Sequence, residues 1–283
     1  MSLPRIVIAG VHSGVGKTTV ATSLMKALAL AGLKVQPYKV GPDYIDPGYH
    51  NEASGRWSRN LDAWFLDADG VREMYLRSAA GADISVIEGV MGLYDGRGSG
   101  DEGSTAHVSR LLDAPVVLVL DARSMARSAA AMVLGYKNFD PRLKLCGVIL
   151  NRVGSERHYR LLKEAIEAGT GVAVLGRLGY SRGMELPERH LGLLPAAERK
   201  NVSDLLDHMA RNIKEGLDLD LLVKLARSAP PPAPPGRRVF PLAAGAPVAR
   251  IGLVQDSAFN FYYRDGLDLL AALGAELVTC SAL

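Results

Sequence analysis

Short runs of continuously apolar residues alternate, along the first two thirds of the chain, with stretches whose apolar positions recur every three or four residues. Arg5–Ala9, Lys34–Lys39, Ile84–Glu88, Pro115–Asp121, Leu145–Asn151 and Val172–Gly176 have strand length, and in Val116-Val117-Leu118-Val119-Leu120 no polar residue interrupts the run. A strand with one wet face alternates, whereas a strand covered on both faces does not, so the pattern predicts a parallel sheet sandwiched between helices. In Thr18–Ala31, apolar Val20, Ala21, Leu24, Met25 and Leu28 fall at helical spacing and Gly32 offers a left-handed stop, so the first helix begins at a glycine-rich loop. The fold class that follows is α/β, a doubly wound and mostly parallel sheet.

The pattern is helical again from Leu205 to Ala226 and is broken by Pro230-Pro231-Pro232-Ala233-Pro234-Pro235-Gly236. Seven prolines between Pro230 and Pro247 favour an extended linker over packed structure. The chain therefore divides into residues 1–228, a Pro-rich linker at 229–247, and a second unit at 248–283. That unit reads as strand Ala249–Gln255, helix Asp265–Leu273 and strand Ala275–Thr279, too little to close a core of its own, and it is expected to be the opening fragment of a second α/β domain.

Composition narrows the picture only slightly. The 283 residues carry 33 Lys+Arg against 30 Asp+Glu, a formal net charge of +3, with no basic block that would argue for nucleic acid or an anionic membrane as partner. No apolar run reaches the roughly 18 residues of a membrane span and the N-terminus has no secretory pattern, so a cytoplasmic protein is expected. Cys146 and Cys280 fall in predicted strands and are expected to be buried thiols, not a disulfide.

The strongest chemical motif is Gly10-Val11-His12-Ser13-Gly14-Val15-Gly16-Lys17-Thr18-Thr19, between the first strand and first helix. Glycines let consecutive backbone N–H groups converge on anionic oxygens, and the helix N-terminus adds its dipole. Gly14, Val15 and Gly16 form the cradle, Lys17 brings a charge to the β/γ-phosphates, and Thr18 with Thr19 opens the helix, the Thr18 hydroxyl being suited to Mg²⁺. The usual spacing would put glycine at position 11, where Val11 stands. Partition-type ATPases carry a second lysine at the position of His12, so a nucleotide-dependent switch is the weaker alternative.

Acidic residues gather after two other strands, in Lys39-Val40-Gly41-Pro42-Asp43-Tyr44-Ile45-Asp46-Pro47-Gly48-Tyr49-His50 and in Glu88-Gly89-Val90-Met91-Gly92-Leu93-Tyr94-Asp95. Strand C-terminal ends share the crevice with the phosphate loop, so Asp43, Asp46, Glu88 and Asp95 can converge there. Glu88 and Asp43 are the candidate Mg²⁺ ligands beside Thr18. Asp46 and Asp95 sit among Pro and Gly, where an aspartate often caps a turn. Tyr44 and Tyr49 could stack on a planar substrate or plug the base of the loop.

The strings AGVHSGVGKTT, QPYKVGPDYIDPGYH, SRNLDAWFL, IEGVMGLYDG, GVILNRV and LPERHLGLL together resemble the cobyrinic acid a,c-diamide synthase family, P-loop amidoligases related to dethiobiotin synthetase. The resemblance covers Arg5 to about Leu194 and resumes over Ala249–Leu283. It implies that ATP phosphorylates the a and c acetate carboxylates of a corrinoid and that ammonia, normally drawn from glutamine, displaces phosphate. It carries the catalytic set to Lys17, Asp43, Asp46, Glu88 and Asp95, the substrate loop to Tyr44, Ile45 and Asp46, and adenine recognition to Asn151. It also implies that 248–283 opens a glutamine amidotransferase-like domain. No glutaminase nucleophile is recognisable and Cys280 lacks the preceding glycine-rich elbow, so use of free ammonia is expected. Nickel-sirohydrochlorin and hydrogenobyrinic acid remain open as macrocycles, and a homodimer as the assembly.

Overall fold

In strand β1 (Arg5–Gly10), Ile6 and Ile8 enter one apolar cluster while Val7 and Ala9 enter another, and all four are fully buried. Such two-sided burial, about 1.5–3 kcal/mol for each large aliphatic side chain, forces the continuous apolar runs of the sequence. The computed structural model describes residues 3–179, 188–189, 192–193, 201–241 and 246–283. After β1 come α1 (Lys17–Leu30), β2 (Val35–Val40), α2 (Asp46–Ser54), β3 (Arg59–Leu61), α3 (Ala68–Ser78), β4 (Ile84–Glu88), α4 (Thr105–Leu111), β5 (Val116–Asp121) and α5 (Ser128–Phe139). They are followed by β6 (Leu145–Val153), α6 (Glu156–Thr170), β7 (Ala173–Gly179), β8 (Glu188–Arg189), β9 (Gly192–Leu193), α7 (Val202–Gly216), α8 (Leu219–Arg227), β10 (Ala249–Val254), α9 (Arg264–Ala272) and β11 (Ala275–Cys280).

The main sheet has the order β3-β2-β4-β1-β5-β6-β7 and is parallel throughout. One face carries α1, α2, α7 and α8, the other α3 to α6. The chain leaves β1 toward β2 on one side and later leaves β4 toward β5 on the other, so the strand order reverses at β1. A crevice opens there, at the strand C-terminal ends. The six predicted strands are present within one to three residues at their ends, and the α/β class holds.

The Leu205–Ala226 pattern is two helices, because Leu217 leaves α7 to bridge Gly176 and Asp218 donates its N–H to Leu175 O at 2.8 Å. The Asp218 side chain then caps α8 by accepting from Leu221 N at 2.8 Å. Cys280 is exposed and Cys146 half-buried, so only the latter approaches the expected buried thiol, and both are free. Burial pushes the Cys146 thiol up to about 12, which leaves it inert. Of the string LPERHLGLL, only the four residues of β8 and β9 lie within the described residues.

The Pro-rich stretch does not float either. Beyond its prolines, Val239 and Phe240 donate backbone N–H groups to the Glu73 carboxylate of α3, Arg237 pairs with Asp67 at 2.6 Å, and the buried Phe240 ring lies 4.1 Å beneath the Arg77 guanidinium. This strap carries the chain from the α8 layer to the α3 layer. The parallel pair β10–β11 and α9 follow as a small unit, and α9 is clasped to the edge strand β3 by Arg59, whose Nη1 lies 2.8 Å from Asp265 and 2.5 Å from Asp268.

Candidate active site

The loop between β1 and α1 is shaped by glycines at the two positions that need them. Gly14 and Gly16 adopt φ of +76° and +98°, and a Cβ on Gly16 would collide with Asn151 Nδ2. Asn151, at the end of β6, donates Nδ2 to Val15 O at 2.9 Å and accepts from Arg152 N on Oδ1. It is a brace for the loop, with one amide hydrogen and one lone pair left for a base edge. Arg152 was not anticipated from the sequence. It donates to Gly14 O at 3.2 Å and pairs with Asp121 of β5 at 2.8 Å, tying the loop to two more strand ends.

Lys17 is buried and donates to His12 O at 3.1 Å, closing the loop on itself. Burial pushes its ammonium down to about 8, only partly opposed by Glu88. A polyanion that needs the charged form must therefore restore the proton above that pH. We expect nucleotide affinity to fall about tenfold per pH unit from pH 8 upward. Calorimetry in buffers of different ionisation enthalpy should show proton uptake on binding near pH 8.5, and affinity that stays flat to about pH 9.5 would remove Lys17 from phosphate binding.

Beside the loop lies a buried charge cluster. Thr18 Oγ1 donates to Glu88 Oε1 at 2.6 Å and stands 3.3 Å from Asp46 Oδ2. Lys39 Nζ, on β2, donates to the same two oxygens at 2.9 and 2.5 Å. The other Glu88 oxygen meets His50 Nε2 at 2.6 Å, and His50 Nδ1 faces Ser58 Oγ at 3.2 Å. Glu88 and His50 are fully buried, and Asp46 and Lys39 nearly so. Burial opposes the Glu88 charge, but Lys39 and His50 outweigh it and hold the carboxyl below the usual carboxylate range. Burial also opposes the Lys39 charge, and Glu88, Asp46 and Asp43 raise it regardless. Asp46 goes the other way, pushed well above its ordinary value by burial and then by Glu88.

The anticipated acids are thus not equivalent. Asp43 does not join Thr18: its Oδ1 accepts from the N–H groups of Ile45 and Asp46 at 2.9 and 3.1 Å, capping α2, and its Oδ2 reaches Lys39 only at 3.7 Å. Asp46, read as either a turn cap or a functional group, takes the place beside Thr18 and Glu88. Asp95 is exposed and accepts from Gly92 N at 2.8 Å, the turn-capping geometry. The role of His50 is not legible in the sequence, since nothing in a Pro-Gly-Tyr-His turn announces a buried contact with a strand three elements further on. Tyr49 is fully buried and plugs the loop base, whereas Tyr44 is exposed and stacks on Tyr263 and Phe261 with ring centroids 4.9 and 5.6 Å apart.

Among the described residues, no three Asp, Glu, His or Cys side chains are arranged to hold a metal by themselves. The oxygens of Thr18, Asp46 and Glu88 nevertheless form one patch beside the phosphate cradle, which suits Mg²⁺, an ion that takes one or two carboxylates and fills its remaining positions with phosphate and water. No helix among the described residues is long and apolar enough to cross a membrane.

Residues 6–194 match the CbiA family, described as the CobQ/CobB/MinD/ParA nucleotide binding domain. The chain is 48% identical to a cobyrinate a,c-diamide synthase of Dehalococcoides mccartyi, over 98% of this chain and 60% of that protein. It is 47% identical to a hydrogenobyrinate a,c-diamide synthase of Streptomyces coelicolor, over 98% of this chain and 64% of the relative. The chain spans about 60% of the length of the curated relatives it matches. Among solved structures, the signal recognition particle receptor FtsY of Elizabethkingia anophelis is 18% identical, with a TM-score of 0.46 over 75% of this chain and 64% of that one.

Proposed function

Because the chain belongs to the CobQ/CobB/MinD/ParA nucleotide binding domain family, we propose that it is the ATP-dependent amidating part of a cobyrinate a,c-diamide synthase of cobalamin biosynthesis. On this reading residues 1–228 form the amidoligase unit, 229–247 the connection, and 248–283 the opening of a glutamine amidotransferase-like unit. The observation that carries it is the cluster of Lys17, Thr18, Asp46 and Glu88 at the strand ends, where a nucleotide and a carboxylate can meet.

The chemistry follows from the poor electrophilicity of a carboxylate, whose displacement by ammonia would expel oxide. A carboxylate oxygen of the macrocycle attacks the γ-phosphorus of ATP and ADP leaves. Ammonia then adds to the carbonyl carbon of the acyl phosphate, inorganic phosphate leaves, and the nitrogen loses a proton. The N–H groups of the Gly14–Gly16 loop and the Lys17 ammonium hold the phosphates and stabilise charge on the group in transfer. Mg²⁺, held by Thr18, Asp46 and Glu88, would neutralise phosphate charge. Asp43 fixes the Tyr44–Ile45 loop against which the macrocycle rests, and Asn151 turns its remaining amide capacity to the adenine. Water must be kept out while the acyl phosphate exists.

The test is product mass after incubation with ATP, Mg²⁺, cobyrinic acid and ammonium chloride, with glutamine as the nitrogen source in a parallel arm. Two successive exchanges of hydroxyl for amino, with ATP consumed in step, are expected with ammonium. The Streptomyces coelicolor relative makes hydrogenobyrinic acid the second macrocycle to try. If neither macrocycle is amidated or stimulates ATP hydrolysis, the reading fails.

A further inference from the structure

A cleft of about 490 Å³ runs between the segment from Asp43 to Asn60 and the segment from Gln255 to Arg264. Asp43 lines it and connects it, through Lys39, to Asp46, Glu88 and Thr18. Its lining brings aromatic and cationic side chains together, with Glu52 as an exposed carboxylate among them. Trp57 from the core side is 49% exposed, Tyr262 from the post-linker side is 37% exposed, and the Arg264 guanidinium lies 5.5 Å above the Trp57 ring. Arg264 has Asp268 as an ion partner at 3.0 Å, and its buried Nε makes no aligned hydrogen bond.

Exposed aromatic surface is costly to keep in water unless something flat covers it, and a guanidinium with spare N–H groups matches a carboxylate in a forked pair. The position of both walls is fixed, since the Arg59 clasp holds α9, and Tyr263 stacks on Tyr44 and donates to Asp62 at 3.3 Å. Resting on the function proposed above, we propose that this composite cleft seats the planar polycarboxylate macrocycle. Trp57 and Tyr262 lie against the ring edge, and Arg264 takes the carboxylate of a side arm that is not being amidated. The post-linker segment then supplies half of the binding site, and the acetate to be activated points inward past Asp43.

Cobyrinic acid binding tests this directly, without turnover. In the Trp64→Phe variant Trp57 is the remaining tryptophan, since the chain has two. Its emission should be quenched as the coloured macrocycle is titrated in. Calorimetry should show cobyrinic acid affinity falling about tenfold or more in Trp57→Ala and, separately, in Arg264→Gln, with ATP affinity unchanged and Trp57→Phe restoring most of the loss. If cobyrinic acid binds the wild type and both variants alike, the cleft is not its seat, and the amidating function stands untouched. If it binds none of them, wild type included, the macrocycle assignment and the cleft fall together.

Discussion

Glu88→Gln is expected to abolish the proposed ATP-dependent amidation, by at least about a thousandfold, while leaving the fold nearly as stable as before. The two effects separate because of how the cluster is wired. A glutamine can keep its carbonyl oxygen toward Thr18 and Lys39 and turn its amide NH₂ toward His50, whose Nε2 can accept once Ser58 receives the other ring proton. Lys39 retains Asp46 at 2.5 Å as counter-charge. What disappears is the full negative charge beside Thr18, which a hard cation needs. The melting temperature and the magnesium dependence of nucleotide binding check this together. Turnover within tenfold of wild type would remove Glu88 from the chemistry.

Lys39→Met should do the reverse, costing stability first. The ammonium is ion-paired to Glu88, Asp46 and Asp43 alike, and removing one partner of a buried charge network costs about 3–5 kcal/mol. At about 2–4 °C per kcal/mol for a domain of this size, the melting temperature should drop by roughly 6–20 °C. A methionine variant that melts with the wild type would mean that the carboxylates do not depend on Lys39. Comparing the two variants separates a residue that holds the site together from one that acts in it.

Much of this could be read from the chain. Two-sided burial of Val116–Leu120 leaves a pattern that needs no tertiary knowledge, and the Gly14–Gly16–Lys17 spacing encodes a backbone shape directly. The acids at strand ends were legible as a group because strand direction fixes where they emerge. Their division of labour was not. Asp43 and Asp46 are three residues apart in one turn, and only the start of α2 decides that the first caps the helix while the second faces Thr18. The edge strand β3 has three residues, too few for any period to register, yet it is the anchor for α9. His50 and Arg152 were hidden for a related reason, since each acts through a partner at least 31 residues away in sequence.

The strap across α3 has a consequence for how this chain tolerates change in length. Its two fixed points, the Glu73 clamp on Val239 and Phe240 and the Arg59 clasp on α9, divide the connection into stretches of unequal freedom. Residues added among the prolines before Arg237 form slack upstream of the clamp and leave the distance from clamp to clasp unaltered. Residues added after Phe240 slacken the tie between clamp and clasp, so the Tyr262–Arg264 wall is then held beside Trp57 by the Arg59 clasp and the Tyr263–Tyr44 stack without support from the strap. Length variation among functional homologues should therefore accumulate in the proline run, and an engineer joining a new module to this core has a ruler: cut before the clamp, never after it.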